Sequence, residues 1–432
     1  MTMSRPTTPL TAVLCSGCGD GVVDAGCRVC GRTGMASVLC LGKTPLANEF
    51  RPAGSTPSSR YPLHVVHCES CRLTQLARGV SPELLFAEYA YFSSASRPVV
   101  EHGDELRRFT RRRCRVPAGG LVIDIGSNDG YLLRGYARDG HRLLGVDPAG
   151  NVTAQAAAQG IETLTAYFSS ATAELIRRDR GAADVIHANN VLAHVPDVLD
   201  FLRGCRILLQ REGHLVIEVP YVVDLVAKGH FDTIYHEHVF YFSFTSLTRL
   251  LESAGLCPVY VERIGFHGGS LRVVARAGAA PVDPSVPRLL GLEEAERVGE
   301  AGFYRVFAGE VHRFLQATRE EIEPLVASGR RLAGYGAPAK AAIMMAAAEL
   351  PLAFICDSTP YKQNKLLPGT GIPIAGPERF ESDPTDYCII FAWNYADSII
   401  AANRAYLQRG GTFIKPADWK LEYITAASSS RG

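Results

Sequence analysis

LVIDIGSNDGYLL, residues 121–133, is the stretch from which the chain is best read. Leu121 to Asp124 is the short apolar run of a strand buried on both faces of a parallel sheet. Gly126 and Gly130 follow it, and glycine lets a backbone turn tightly beside a ligand before the helix-compatible residues that come next. A second apolar run, Leu143–Asp147, ends in an acid placed where ribose hydroxyls could be gripped. Two readings fit: the first half of a nucleotide-type site in an open α/β sheet, or an ordinary strand–turn–helix corner.

The same rhythm continues outward. Strands are expected at Leu121–Ile125, Leu143–Val146, Asp184–Ala188, His214–Glu218, Val259–Glu262 and Leu271–Ala275, alternating with helical stretches, which implies a mostly parallel sheet. Asn189 and Asn190 fall just after the third strand, at the carboxyl edge where such sheets bind ligands. Leu289–Leu325 has the spacing of one or two long helices. A second α/β unit then starts at Arg331: Gly334 and Gly336 lead into a helix, and Asp357 ends the next strand about 20 residues on. That is half of a dinucleotide fingerprint, with Ala339 where a third glycine would stand. The expected division is a tail (1–26), a metal-binding unit (27–80), an aromatic linker (81–102), a nucleotide-type α/β domain (103–280) and a helical hairpin with a second Rossmann-like domain (281–432).

Composition narrows the function classes. With 432 residues the chain exceeds one ordinary core, and 47% hydrophobic against 21% charged residues is globular. A net charge of +1 gives no electrostatic case for nucleic acid or an anionic membrane, and no apolar run reaches the roughly 18 residues of a membrane span. The expectation is a soluble, cytoplasmic protein whose 12 cysteines serve as thiols or metal ligands. Cys27-x-x-Cys30 and Cys68-x-x-Cys71 are two knuckles of the kind that present paired sulfurs to one zinc ion. Four thiolates fill a tetrahedron, so such an ion is structural. Cys15 and Cys18 repeat the spacing and read either as part of the tail or as half of a second site with Cys40 or a histidine.

The densest chemistry lies in Gly229–Phe244, where Tyr235-His236-Glu237-His238 sets a phenol and three ionisable groups side by side. Two histidines at i and i+2 of an extended strand could bind a metal, or the group could be satisfied polar residues at a sheet edge. A third reading makes His238 a general base oriented by a neighbouring carboxylate, with tyrosines donating to developing negative charge. That is what proton abstraction beside a carbonyl needs.

Taken with the zinc knuckles, Tyr89–Ser94, the Asp124–Gly130 loop, Asp147, His267-Gly-Gly-Ser-Leu-Arg272 and Tyr335-Gly-Ala-Pro-Ala-Lys340 in one order, the chain from Cys27 to Trp419 resembles the S-adenosylmethionine-dependent nucleotide-sugar C-methyltransferases of antibiotic deoxysugar biosynthesis. The resemblance implies a zinc-binding domain, a central methyltransferase domain and a C-terminal Rossmann-like domain. It implies methylation of a dTDP-4-keto-6-deoxyhexose beside the ketone, at C3 or in some members C5. Zinc would sit on Cys27, Cys30, Cys68 and Cys71. S-adenosylmethionine would be held by Asp124, Gly126, Ser127, Asn128, Gly130 and Asp147, with Phe92, Ser93, Asn189 and Asn190 around it. His238 would be the base, supported by Glu237 and Tyr235, with Tyr89 and His194 facing the sugar. His267, Ser270, Arg272, Lys340, Lys362, Asn364, Trp393, Asn394 and Tyr395 would meet the nucleotide-sugar. The expected working form is a monomer. Two other functions remain open: a bifunctional enzyme that also reduces the ketone with NADPH, and a non-catalytic nucleotide-binding zinc protein.

Overall fold

A computed structural model describes residues 22–23, 25–56, 58–86, 92–383 and 385–427; Tyr89, Cys15 and Cys18 lie outside the described residues. The chain is mixed α/β and organised on three main sheets.

The central sheet has seven strands in the order Leu256–Ile264, Ser270–Ala277, Leu209–Pro220, Ala183–Asn189, Leu121–Ile125, Arg142–Asp147, Thr163–Thr165. The last five are parallel, and the first two are joined antiparallel at one edge. Leu121–Ile125 is the middle one of the five parallel strands and no residue in it is more than 2% exposed, as its unbroken apolar run requires. Thr163–Thr165 was not anticipated; three residues carry too little periodicity to read. The carboxyl ends of the parallel strands gather Gly126–Gly130, Asp147 and Asn189 at one edge.

The N-terminal sheet is antiparallel, in the order Val22–Val23, Met35–Pro45, Arg60–His67, Thr74–Leu76, Phe240–Tyr241. Its last strand comes from far along the chain: Phe240 pairs with Gln75 and Tyr241 with Thr74. The segment expected as extended around His238 is instead a 3-10 turn, Phe231–Thr233, followed by a tight turn over residues 235–238 closed by the His238 N–H on the Tyr235 carbonyl. Helix Phe244–Ser253 then starts on a capping box of Ser243 and Ser246, and the buried Glu293 carboxylate accepts the N–H groups of Phe244 and Thr245.

The third sheet runs Ile374–Ala375, Ile355–Cys356, Leu332–Tyr335, Tyr387–Ile390, Thr412–Ala417, Lys420–Ile424. Helices Ser285–Ala295 and Ala301–Ala327 connect it to the central sheet. Helix Arg97–Arg113 runs through the boundary expected at residue 102, so the linker and the central domain share one element.

Candidate active site

At the central sheet edge, Gly126, Asn128 and Gly130 have φ of 72°, 52° and 77°, a left-handed path that glycine and asparagine tolerate. Asp147 fixes this loop by accepting the N–H of Asn128 at 2.9 Å, and its other oxygen accepts from Ala149 at 3.0 Å. Each of its oxygens keeps a second lone pair for a hydroxyl. Asp124 is buried beneath, and burial and then the nearby Asp147 push its carboxyl well above the usual range. The linker docks here: the Ser93 N–H reaches Asn128 Oδ1 at 2.8 Å, and the Ser94 N–H reaches Asp129 Oδ2 at 3.1 Å. Phe92, which precedes them, is only partly buried.

Buried polar atoms at this edge have no protein partner: Ser127 Oγ, Asp129 Oδ1, both amide atoms of Asn189 and Asn190 Oδ1. Such atoms call for a polar ligand. A nucleoside with ribose hydroxyls and an amino acid tail fits this donor set. Asp129, which sequence reading passed over, stood inside the quoted loop.

The second half of the site is the turn at residues 235–238. His238 Nδ1 lies 2.8 Å from the Thr233 carbonyl oxygen, which can only accept, so Nδ1 carries the proton. Nε2 therefore holds the lone pair and accepts from the Tyr235 hydroxyl at 3.0 Å. The His194 ring stands edge-on to His238 at 4.8 Å. Burial, then His194 and more remotely Lys340, hold the His238 ring well below its usual pKa, so it is neutral. Burial likewise lowers His194 to about 4.

The expected orienting carboxylate is elsewhere. Glu237 turns to the N-terminal unit, where Asn48 Nδ2 donates to Oε1 at 2.7 Å, and burial raises its carboxyl to about 7. The Thr233 carbonyl orients His238 instead. His236 faces away too, with Nε2 at 3.3 Å from the Pro62 carbonyl, so the two histidines do not share a face. Adjacent residues in a tight turn diverge, which removes the paired-histidine metal reading.

The C-terminal domain packs on the residues just before this turn. Trp393 stacks on His230 at 4.1 Å, its Nε1–H donates to Asp232 Oδ2 at 2.8 Å, and Lys340 Nζ sits 3.6 Å from the Trp393 ring centroid. Lys340 also reaches Asn394 Oδ1 at 3.0 Å, and burial lowers it to about 8. His267 sits at φ 53° and is exposed. Lys340 and His267 are within electrostatic reach of His238, while Trp393 and Asn394 hold Lys340 beside His230 and Asp232, two residues that sequence reading did not place here. Tyr395 Oη lies 3.5 Å from Ser96 Oγ, tying the linker to this domain.

Four expected substrate contacts are engaged differently. Arg272 is 1% exposed, and its guanidinium is bound by Glu218, Glu105 and Glu262. Ser270 Oγ donates to the Phe266 carbonyl. Lys362 holds the Ala337 carbonyl and Asp357. Asn364 sits at φ 62° in the turn after Lys362, its N–H on the Ile374 carbonyl. Asp357 itself accepts from the N–H groups of Ala337 and Thr359 and, although burial pushes its carboxyl up, Lys362 and these donors hold it below the usual range. A β-carbon on Gly334 would meet Phe391 and Ile355, and one on Gly336 would meet Ala392. These glycines sit in close packing, and Asp357 holds its own loop as Asp147 does in the central sheet.

The four cysteines Cys27, Cys30, Cys68 and Cys71 place their sulfurs within 4.8 Å of one another, with 3.4 Å between Cys27 and Cys71 and 3.6 Å between Cys30 and Cys68. A tetrahedral Zn–S₄ centre has edges of about 3.8 Å. Both knuckles use one turn: the N–H of Gly31 returns to the Cys27 carbonyl and that of Arg72 to Cys68, with Gly31 and Arg72 both left-handed.

A Rossmann-like sheet with a nucleoside-type edge and a four-sulfur module define a zinc-containing methyltransferase. Residues 101–261 match the methyltransferase domain, residues 27–86 the zinc binding domain, and residues 265–417 the C-methyltransferase C-terminal domain. The C-methyltransferase NovU of Streptomyces niveus is 38% identical over 400 residues, covering 90% of this chain and 94% of that protein. The chain therefore belongs to the C-methyltransferase family: it is an S-adenosylmethionine-dependent C-methyltransferase with a structural zinc site. A ubiquinone biosynthesis O-methyltransferase of Ralstonia nicotianae is 26% identical over 167 residues, 35% of this chain and 68% of that one. Among solved structures, magnesium protoporphyrin IX methyltransferase (ChlM) from Synechocystis PCC 6803 with bound SAM is 15% identical, with TM-score 0.32, over 41% of this chain and 79% of that chain. Among the described residues, no helix is long and apolar enough to cross a membrane.

Proposed function

We propose that the acceptor is the carbon beside the ketone, C3, of a dTDP-4-keto-6-deoxyhexose, methylated through an enolate in antibiotic deoxysugar biosynthesis. The observation that carries this reading is the fixed tautomer of His238. A carbon acid must lose a proton before it can attack, and Nε2 is a neutral, pre-oriented lone pair for that proton. Asp124, the Gly126–Gly130 loop, Asp147, Asn189 and Asn190 would hold S-adenosylmethionine, which supplies an electrophilic methyl on a sulfonium. Nε2 takes the proton at C3 and the C–H electron pair moves into the ketone as an enolate. Lys340 and His194 would stabilise the oxygen, and Tyr235 would join them once Nε2 takes the proton and releases its hydroxyl. The enolate carbon then forms the new carbon–carbon bond as the methyl–sulfur bond breaks. Cys27, Cys30, Cys68 and Cys71 would hold zinc as a cross-link, without a part in these steps. We take the working form to be a cytoplasmic monomer, which light scattering on the purified protein checks.

The test is deuterium wash-in: incubation of dTDP-4-keto-6-deoxyhexoses in deuterated water without methyl donor, followed by mass and NMR spectra. Label at C3 supports the proposal, label at C5 moves the reaction to that carbon, and no label in any of them overturns the enolate.

A further inference from the structure

We propose that Asn48 is a positioning residue for proton abstraction, acting through Glu237 on the turn that carries His238; this rests on reading His238 as the base. Asn48 lies in the N-terminal unit, in the turn after strand Met35–Pro45, and Glu237 lies 189 residues further along the chain. The Asn48 amide donates to Glu237 Oε1 at 2.7 Å. Glu237 is 4% exposed, so this bond satisfies a carboxyl that burial alone would leave short of donors. On its other side the Glu237 carbonyl accepts from the His194 ring, and the Val239 N–H reaches the Ala193 carbonyl at 2.7 Å. Residue 237 is thus gripped between the N-terminal unit and the edge of the central sheet, and its neighbour in sequence is the base.

The same turn is joined to the N-terminal sheet by the Leu76 N–H on the Val239 carbonyl at 2.9 Å and by the Phe240–Gln75 pairing. Those contacts are main-chain and set the strand. Two side-chain contacts tie the turn ahead of it to the same unit, His236 Nε2 at the Pro62 carbonyl and Asn48–Glu237, and the second is the one made by the residue next to His238. Asn48 is itself exposed, so replacing it removes a donor and leaves no cavity.

The experiment compares wild type, Asn48→Ala, Glu237→Gln and the double variant by wash-in rate against pH, zinc content and thermal midpoint. Asn48→Ala is expected to slow wash-in roughly tenfold or more with zinc and substrate KM retained, since small misplacements of a reacting group are costly. The Asn48 N–H draws the Glu237 carboxyl down from where burial would set it, so its loss should move the Glu237 step in the pH profile upward, and Glu237→Gln should abolish that step. The double variant should be no slower than Glu237→Gln alone. Wild-type wash-in in Asn48→Ala, or independent additive losses in the double variant, overturns the positioning role alone. No wash-in by the wild type overturns the base reading and this proposal with it.

Discussion

His238 and Thr233 fix one tautomer between them: the ring Nδ1–H donates to the Thr233 carbonyl oxygen at 2.8 Å, which leaves the lone pair on Nε2. A neutral imidazole is thereby oriented without a carboxylate partner, as the proposed base requires. His238→Ala should lower wash-in and methyl transfer by roughly 10²–10⁴-fold, the usual contribution of a positioned base, while calorimetry shows methyl donor binding unchanged. Tyr235→Phe removes the hydroxyl on Nε2 and should reduce kcat more than KM.

The methyl donor end should respond separately. Asp147→Ala loses the acceptor that holds the Asn128 N–H and the lone pairs expected to meet ribose. The predicted outcome is at least tenfold weaker methyl donor binding by calorimetry, with wash-in in its absence within a few-fold of wild type. Equal loss of both would show that the loop supports the whole site.

Acid should destabilise the protein. His67 is held at about 4 and His187 at about 3, chiefly by burial, against about 6.5 in an unfolded chain. Between those values the unfolded state binds more protons, so stability rises with pH there and falls on acidification. His194 and His230, each lowered to about 4, add the same sign. Asp232, raised to about 6, Glu237, raised to about 7, and Asp124 and Asp147, also raised by burial, act oppositely, since the folded state holds their protons longer. With His238, also lowered by burial, the histidines outnumber them, so the thermal midpoint should drop from pH 7 to pH 5, and His187→Gln should flatten that slope.

Zinc removal should reach the base through the sheet. Cys71 is followed by strand Thr74–Leu76, which pairs with Phe240–Tyr241 just after His238. Elemental analysis should find one zinc per chain. Cys68→Ser should lose it, lower the thermal midpoint and slow wash-in, although no thiolate touches the substrate.

Arg272 should prove structural. Its guanidinium and Glu218 are each 1% exposed, and His102 donates to the second oxygen of Glu218 at 2.7 Å. Arg272→Ala leaves a buried carboxylate short of a partner and should cost about 3–5 kcal/mol in denaturant unfolding. A raised substrate KM at unchanged stability would contradict this.

Much of this was legible in the sequence, for identifiable reasons. Strand Leu121–Ile125 and its glycine turn are local: five residues buried on both faces must all suit burial, and the residues after them must tolerate left-handed φ. The zinc knuckles are local too, since two cysteines three residues apart share one turn. Arg272 misled because a charged residue after a glycine loop looks like a ligand contact, whereas its three carboxylate partners come from other elements. Glu237 misled because adjacency in sequence was read as adjacency in space.

The sequence by itself determined the sheet order's raw material, the metal ligands and the stretch in which chemistry is concentrated, because each depends on residues within one turn or one strand. Only the tertiary structure decided how the base is held. The Thr233 carbonyl holds His238, the Asn48 amide from the N-terminal unit holds Glu237, and Trp393 from the C-terminal domain holds Asp232 just before them, through contacts spanning up to 189 residues. Side-chain amides and main-chain carbonyls leave no periodic trace in a sequence, so only folding brings them to the histidine they orient.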